Sequence, residues 1–120
     1  MFLIAIKNDF LQIIDNFQPV LRLNNVQFGD VWICSGQSNM EWPMYAIMNS
    51  TEEIAKMADY PNIKLFKLAH MTAPEPQSDL NSLDFEKWAS TSESDKVQGF
   101  SAICLLTIKN MADKLGKDKV

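Results

Sequence analysis

Histidine is almost missing from this chain. His70 is the only one among 120 residues, so any chemistry that needs an imidazole has one residue to draw on. Positive charge is also in deficit: 11 Lys and Arg face 15 Asp and Glu, for a net charge of -4 and an isoelectric point near 4.8. Such a balance leaves no basic stripe to neutralise phosphates, which argues against nucleic acid as a partner. Long apolar runs are lacking as well. The longest are about six residues, against the ~20 that a membrane-spanning helix needs, so no membrane partner is expected. The opening run, Met1 to Ile6, is cut off by Lys7, Asn8 and Asp9. It falls short of a secretory h-region of about 7 to 15 apolar residues, so it does not fix a localisation. Cysteine is limited to Cys34 and Cys104, both in apolar surroundings, and the expectation is two buried free thiols. No internal repeat or low-complexity block is present.

What is present is ordinary for a globular domain. Apolar residues make up 47% and charged residues 22%, in a length that suits one domain burying roughly two thirds of its unfolded surface. Residues 1 to 28 form a poorly defined N-terminal segment. Within it, Asp9 to Phe17 places Phe10, Leu11, Ile13, Ile14 and Phe17 at helical spacing, ended by Pro19. Val20 to Leu23 alternates as a strand does, and Asn24-Asn25 turns. Pro43 suits the first turn of a helix. Ser50 to Glu53 reads as a capping box, with the Ser50 hydroxyl accepting from the Glu53 N–H. It opens a helix from about Thr51 to Ala58, with Ile54, Met57 and Ala58 inward, broken by Pro61-Asn62. Ile63 to Leu68 is then a strand. Thr72 to Leu83 is a loop, Trp88 a packing anchor, and Ser90 to Asp95 a polar linker. Gly99 to Leu115 is the longest periodic segment. Its face is Phe100, Ile103, Cys104, Ile108, Met111, Ala112 and Leu115, and Lys114 with Gly116 marks its end. Asn49-Ser50-Thr51 is a sequon that would permit glycosylation of a secreted chain, although such tripeptides recur by chance.

These elements are arranged around GDVWICSGQSNMEWP, residues 29 to 43. Val31-Trp32-Ile33-Cys34 is wholly apolar, the mark of a strand covered on both faces in a parallel sheet. With the helix after it and the strand at Ile63, it predicts a βαβ unit of parallel strands. The strand runs into a polar loop, Ser35-Gly36-Gln37-Ser38-Asn39, and ligands of such sheets bind beyond the carboxyl ends of the strands. Ser38 is the candidate nucleophile, with Gly36, Gln37 and Asn39 as its supporting loop. A serine hydroxyl attacks only when a base takes its proton, usually a histidine oriented by a carboxylate. The oxyanion then formed needs donors, the serine's own N–H among them. The loop is not the G-x-S-x-G elbow, because Met40 stands where the second glycine belongs. On pattern alone, a strand-end serine reads as a cap or turn residue. Gln37 and Asn39 read either as braces of the loop or as simple turn polars.

In its wider context the block resembles the nucleophile segment of the sialate O-acetylesterase family, within the SGNH (GDSL-like) hydrolases. Two further blocks follow in the same order. Ile63 to Phe66, then TAPEPQSDL (Thr72 to Leu80) and Trp88, is similar to that family's second strand, Pro-rich loop and tryptophan. Phe100-Ser101-Ala102-Ile103-Cys104 is similar to its FSAVC-type helix start. The resemblance implies an α/β chain: part of a three-layer α/β/α SGNH-like fold with a short parallel sheet, spanning residues 29 to 120. It implies hydrolysis of O-acetyl esters of sialic acids or related sugars, with Ser38 forming an acetyl-enzyme and its backbone N–H serving as oxyanion donor. Such a reaction needs no metal or organic cofactor, and its partner is an O-acetylated sugar.

The departures from that family carry equal weight. Its members have, further along, a glycine-rich block that supplies oxyanion donors and an Asp-x-x-His pair that supplies the base; these 120 residues hold neither. His70, after the second strand, does not occupy the family's catalytic position and reads as a solvated loop residue. Lys109-Asn110 stands where the family usually has Gly-Arg, and of its long β-rich upstream region at most a remnant, Val20 to Phe28, is expected. The family is largely secreted or lysosomal, yet no convincing signal peptide is visible here. The expectation is an esterase-type segment, weakly active or inactive alone. The alternative is a non-catalytic interaction module, or a truncated product, that self-associates through exposed sheet edges.

Overall fold

The computed structural model describes residues 2–3, 10–15, 18–24, 26–27, 29–70, 72–80 and 86–117. Among them, strands β1 (Phe2–Leu3), β4 (Lys64–Lys67) and β5 (Ala89–Ser90) form one sheet in the order β1-β4-β5, and β2 (Phe10–Asp15) pairs with β3 (Gln18–Asn24) in another. Helices α1 (Ser50–Lys56), α2 (Ser94–Gln98) and α3 (Ala102–Leu115) complete a mixed helix-and-strand chain. The strand expected at Val20 to Leu23 appears within β3, and the one expected at Ile63 to Leu68 appears, shortened, as β4.

The parallel sheet does not. Every pairing between these strands is antiparallel: Phe2 faces Lys67, Lys64 faces Ser90, and Phe10 faces Asn24. A βαβ crossover requires its first strand to be paired along its length, and Val31, Trp32 and Ile33 are not in a strand. They are 55%, 40% and 64% exposed, so among the described residues the apolar run lacks the two covering layers that its composition suggests.

The helix read over residues 9 to 17 is likewise corrected. Phe10–Asp15 is a strand, while Asp9, Asn16 and Phe17 lie outside the described residues. A short apolar run fits both periods, and the β-branched Ile13 and Ile14 favour the extended form once a partner strand is alongside. The register shifts between Ile13 and Ile14, where Ile14 faces Pro19. A proline cannot donate to a ladder, and a bulge accommodates that loss.

At α1 the expected capping box is not formed, and the helix begins one residue earlier than expected. Asn49 is the N-cap, at φ 57° and ψ 29°, and its side chain makes no capping bond. Glu53 N–H donates to the Asn49 carbonyl at 3.0 Å, while the Glu53 carboxylate pairs with Lys56. Asparagine, with its short polar side chain, is among the few non-glycine residues that visit the left-handed region. Pro61 stops the helix as expected, after a 3-10 turn at Met57–Asp59 that buries Met57 completely.

Helix α3 organises the core. Ser101 caps it by accepting from Cys104 N–H at 3.3 Å, and Gly116, at φ 106°, ends it. Its buried stripe is Ala102, Cys104, Leu105, Ile108 and Ala112, set against Met44, Met57, Tyr60, Ile63, Leu65, Val97 and Phe100. Ile103 and Leu115, expected on that face, are 47% and 57% exposed, and Leu105 is buried instead. The helix is therefore rotated so that the Cys104–Leu105 edge points inward. The linker read at Ser90 to Asp95 contains the end of β5 and the start of α2, whose Val97 is fully buried. Thr91 is buried with it, its hydroxyl donating to the Tyr60 carbonyl at 2.7 Å. Trp88, expected as a packing anchor, sets its ring 5.0 Å from that of Phe66 but remains 49% exposed.

Candidate functional site

Residues 34 to 44 form a loop fastened at both ends to the start of α3. At the first end, Cys34 and Cys104 are disulfide-bonded, with Cα atoms 5.9 Å apart. This overturns the expectation of two free thiols. Burial and pairing both follow from apolar surroundings, and a separation of 70 residues gives no sign that the two Cα atoms come within bridging range. At the second end, Pro43 and Ser101 form an antiparallel bridge. Ala102 N–H donates to the Trp42 carbonyl at 2.8 Å, and Met44 N–H to the Phe100 carbonyl at 3.0 Å. Pro43 thus lies in extended backbone ahead of a 3-10 turn at Met44–Ala46, rather than inside a helix.

Between these ends the chain closes into a 3-10 turn, Ser38–Glu41. Met40 N–H donates to the Gln37 carbonyl at 2.7 Å and Trp42 N–H to the Asn39 carbonyl at 3.3 Å. Gln37, Ser38 and Asn39 are exposed, and their side chains make no hydrogen bond to other described residues. Among the described residues the loop is therefore braced by its backbone. At Gly36 the turn packs closely: a Cβ there would stand 3.3 Å from the Cβ of Met40, which would have to give by a few tenths of an ångström. Behind the turn, Ser101 is buried, and its hydroxyl donates to Met40 Sδ at 3.5 Å. Ser101 thus joins the helix cap to the underside of the serine loop. Sequence reading did not single it out; the serine directly ahead of a helical period was the available sign.

Ser38 is the first residue of its turn, where N–H groups have no intrahelical acceptor. Glu41 is three residues on, and side chains at i and i+3 eclipse in a 3-10 helix. Glu41 in turn meets Nε2 of His70. The histidine therefore reaches the serine turn through Glu41, and it is a paired residue rather than simply a solvated one, although 73% exposed. The carboxylate thus belongs to the turn itself, and the imidazole pairs with that carboxylate. The order required for proton abstraction is serine, imidazole, carboxylate, and no contact among the described residues joins His70 to Ser38.

Beside the loop, Asn39, Trp42, Ile47, Ala102, Ile103 and Leu106 line an open apolar groove of about 420 Å³. Trp42 is held there by its indole N–H, which donates to the Ala46 carbonyl at 3.2 Å. A second cavity, of about 190 Å³, lies between β4, β5 and α2 and includes none of the loop residues.

No family model matches the chain, and no solved structure does. Among curated proteins, it is similar to the sialate O-acetylesterases of Homo sapiens and Rattus norvegicus, each 32% identical over 108 residues, or 87% of this chain and 20% of the relative. It is similar also to that of Mus musculus, 33% identical over 99 residues, or 79% of this chain and 18% of the relative. The resemblance carried by the Ser38 block thus extends over most of the chain. The chain spans about one fifth of the length of the curated relatives it matches.

Proposed function

Starting from that partial match to sialate O-acetylesterases, we propose that this chain is the nucleophile-bearing segment of an esterase acting on O-acetyl esters of sialic acids or related sugars. Ser38 Oγ attacks the acetyl carbonyl, and the oxyanion that forms accepts from the Ser38 N–H. The sugar hydroxyl departs with a proton, and water then releases acetate from the acetyl-serine. The single observation that carries the reading is the anchoring of the serine turn. A disulfide on one side and a backbone bridge on the other hold an exposed serine at the first position of a 3-10 turn, the rigid presentation that a nucleophile needs. The base and the second oxyanion donor come from segments beyond those matched here. Residues 29 to 120 are read as the opening part of a three-layer SGNH-like domain, whose further layers cover Val31 to Ile33. The exposed Trp42, Tyr45 and Met48 favour a second reading, a non-catalytic module whose apolar surface is covered by association.

A chimera tests the first reading. This chain replaces the matching fifth of the human relative, and release of acetate from an O-acetylated sialic acid is measured. Activity that Ser38→Ala reduces by several orders of magnitude is the expected result. A folded chimera whose activity survives Ser38→Ala would overturn the proposal. The isolated chain is expected to turn over 4-nitrophenyl acetate slowly or not at all. A monomer in size-exclusion chromatography counts against the second reading.

A further inference from the structure

We propose that Asn49 is a site of N-linked glycosylation. The sequence Asn49-Ser50-Thr51 is the only sequon in the chain, and the structure places it where a glycosylating enzyme can reach it. Asn49 is exposed, at a bend between the 3-10 turn Met44–Ala46 and α1, in a left-handed conformation at φ 57°. Its position is that of a helix N-cap, where an asparagine side chain ordinarily accepts from an amide of the first turn. Here it makes no such bond, and the first turn instead uses the Asn49 backbone carbonyl as acceptor for Glu53 N–H. The carboxamide is thus left out of the capping role and points to no protein partner among the described residues. Thr51, whose hydroxyl completes the sequon, is also exposed.

A second, independent observation concerns the compartment. The Cys34–Cys104 disulfide is of a kind that forms and persists in oxidising environments, the secretory lumen among them, and is rare where thiols are kept reduced. Sequons are glycosylated in that same lumen. A third concerns the surface. Met48, next to Asn49, is 89% exposed, and Tyr45 is 63% exposed. A bulky, solubilising glycan at residue 49 shields this apolar face from water and from other chains.

In the transfer, Asn49 Nδ2 attacks the anomeric carbon of an oligosaccharide carried on a polyprenyl diphosphate. The carbon–oxygen bond to the diphosphate breaks and a carbon–nitrogen bond forms. One amide proton is lost to a base of the transferring enzyme, and the polyprenyl diphosphate leaves.

The test directs the full chain into the secretory pathway of eukaryotic cells with an appended leader, together with a reporter sequon after Val120. The peptide containing residue 49 is then read by mass spectrometry. The expected result is a glycan on Asn49 that peptide N-glycosidase removes with conversion of the residue to Asp. Asn49→Gln and Thr51→Ala each abolish the modification, while Thr51→Ser retains it. Because the readout is a peptide mass, it does not depend on the variants folding. A reporter sequon that carries glycan while Asn49 remains unmodified would overturn the proposal.

Discussion

The sulfur of Cys34 is bonded to that of Cys104, so a residue four positions before Ser38 is tied to the first turn of α3. A cross-link that closes 70 residues removes much of the freedom of the unfolded chain, about 4 kcal/mol on the chain-entropy model. The double variant Cys34→Ala, Cys104→Ala is expected to lose about 2–4 kcal/mol, measured from urea midpoints against the oxidised chain. Titration of the unreduced, denatured chain with a thiol reagent is expected to find no free thiol. Two reactive thiols under those conditions would remove the disulfide, and with it one of the two fastenings of the serine loop.

Ser101 is the other fastening. Its buried hydroxyl accepts from Cys104 N–H and donates to Met40 Sδ, and its backbone bridges Pro43. Ser101→Ala leaves the first turn of α3 with an unsatisfied donor and is expected to cost about 1 kcal/mol, the usual loss for an N-cap serine. The variant should also loosen the loop, seen as faster amide exchange at Met40 and Trp42 than in the wild type. A melting temperature unchanged from wild type would show that the cap contributes nothing.

The Glu41–His70 pair joins two exposed side chains and is expected to add less than ~1 kcal/mol to stability. It also gives a direct check on the source of the base. If the imidazole that activates Ser38 comes from outside this chain, His70→Ala leaves acetate release by the chimera within a few-fold of its starting value. A loss of several orders of magnitude, with KM unchanged, would instead make His70 the base.

How far the sequence discloses this molecule depends on the range of the interactions involved. Helix α3, β4 and the stop at Pro61 were legible because each follows from local periodicity or from a missing N–H. The strand at Phe10 was not, because a six-residue apolar run satisfies two periods until a neighbour decides between them. Val31 to Cys34 misled in the opposite way. Its composition specifies a buried central strand, but burial depends on layers supplied elsewhere, and the described residues do not cover it. The serine loop was identifiable as a block, whereas its fastenings were not. Cys34 to Cys104 and Pro43 to Ser101 are both long-range contacts that no spacing rule reveals.

Tyr60 and Asp113 offer the clearest pH signature. The Tyr60 hydroxyl donates to Asp113 Oδ1 at 2.5 Å, joining the end of the 3-10 turn Met57–Asp59 to the last turn of α3. The phenol is pushed up to about 12, chiefly by that bond to a carboxylate and then by burial. The Asp113 carboxyl is held below its ordinary value of 3.8, first by the Tyr60 hydroxyl, with the Lys109 and Lys117 charges adding to the effect. The signs of the two arms differ. A depressed carboxyl contributes stability that is present above the unfolded value near 3.8 and is lost as pH falls through the folded one. A raised phenol contributes stability that is full below the unfolded value of 10.0 and is lost as pH rises toward about 12. Tyr60→Phe is expected to lower stability at neutral pH by about 1 kcal/mol, the typical net contribution of one hydrogen bond. The difference between wild type and variant, from urea melts across the pH range, should stay constant at intermediate pH and shrink below about 4 and above about 10. A difference that stays flat at both extremes would mean that the variant loses only packing, and that the hydroxyl and the carboxylate are not coupled.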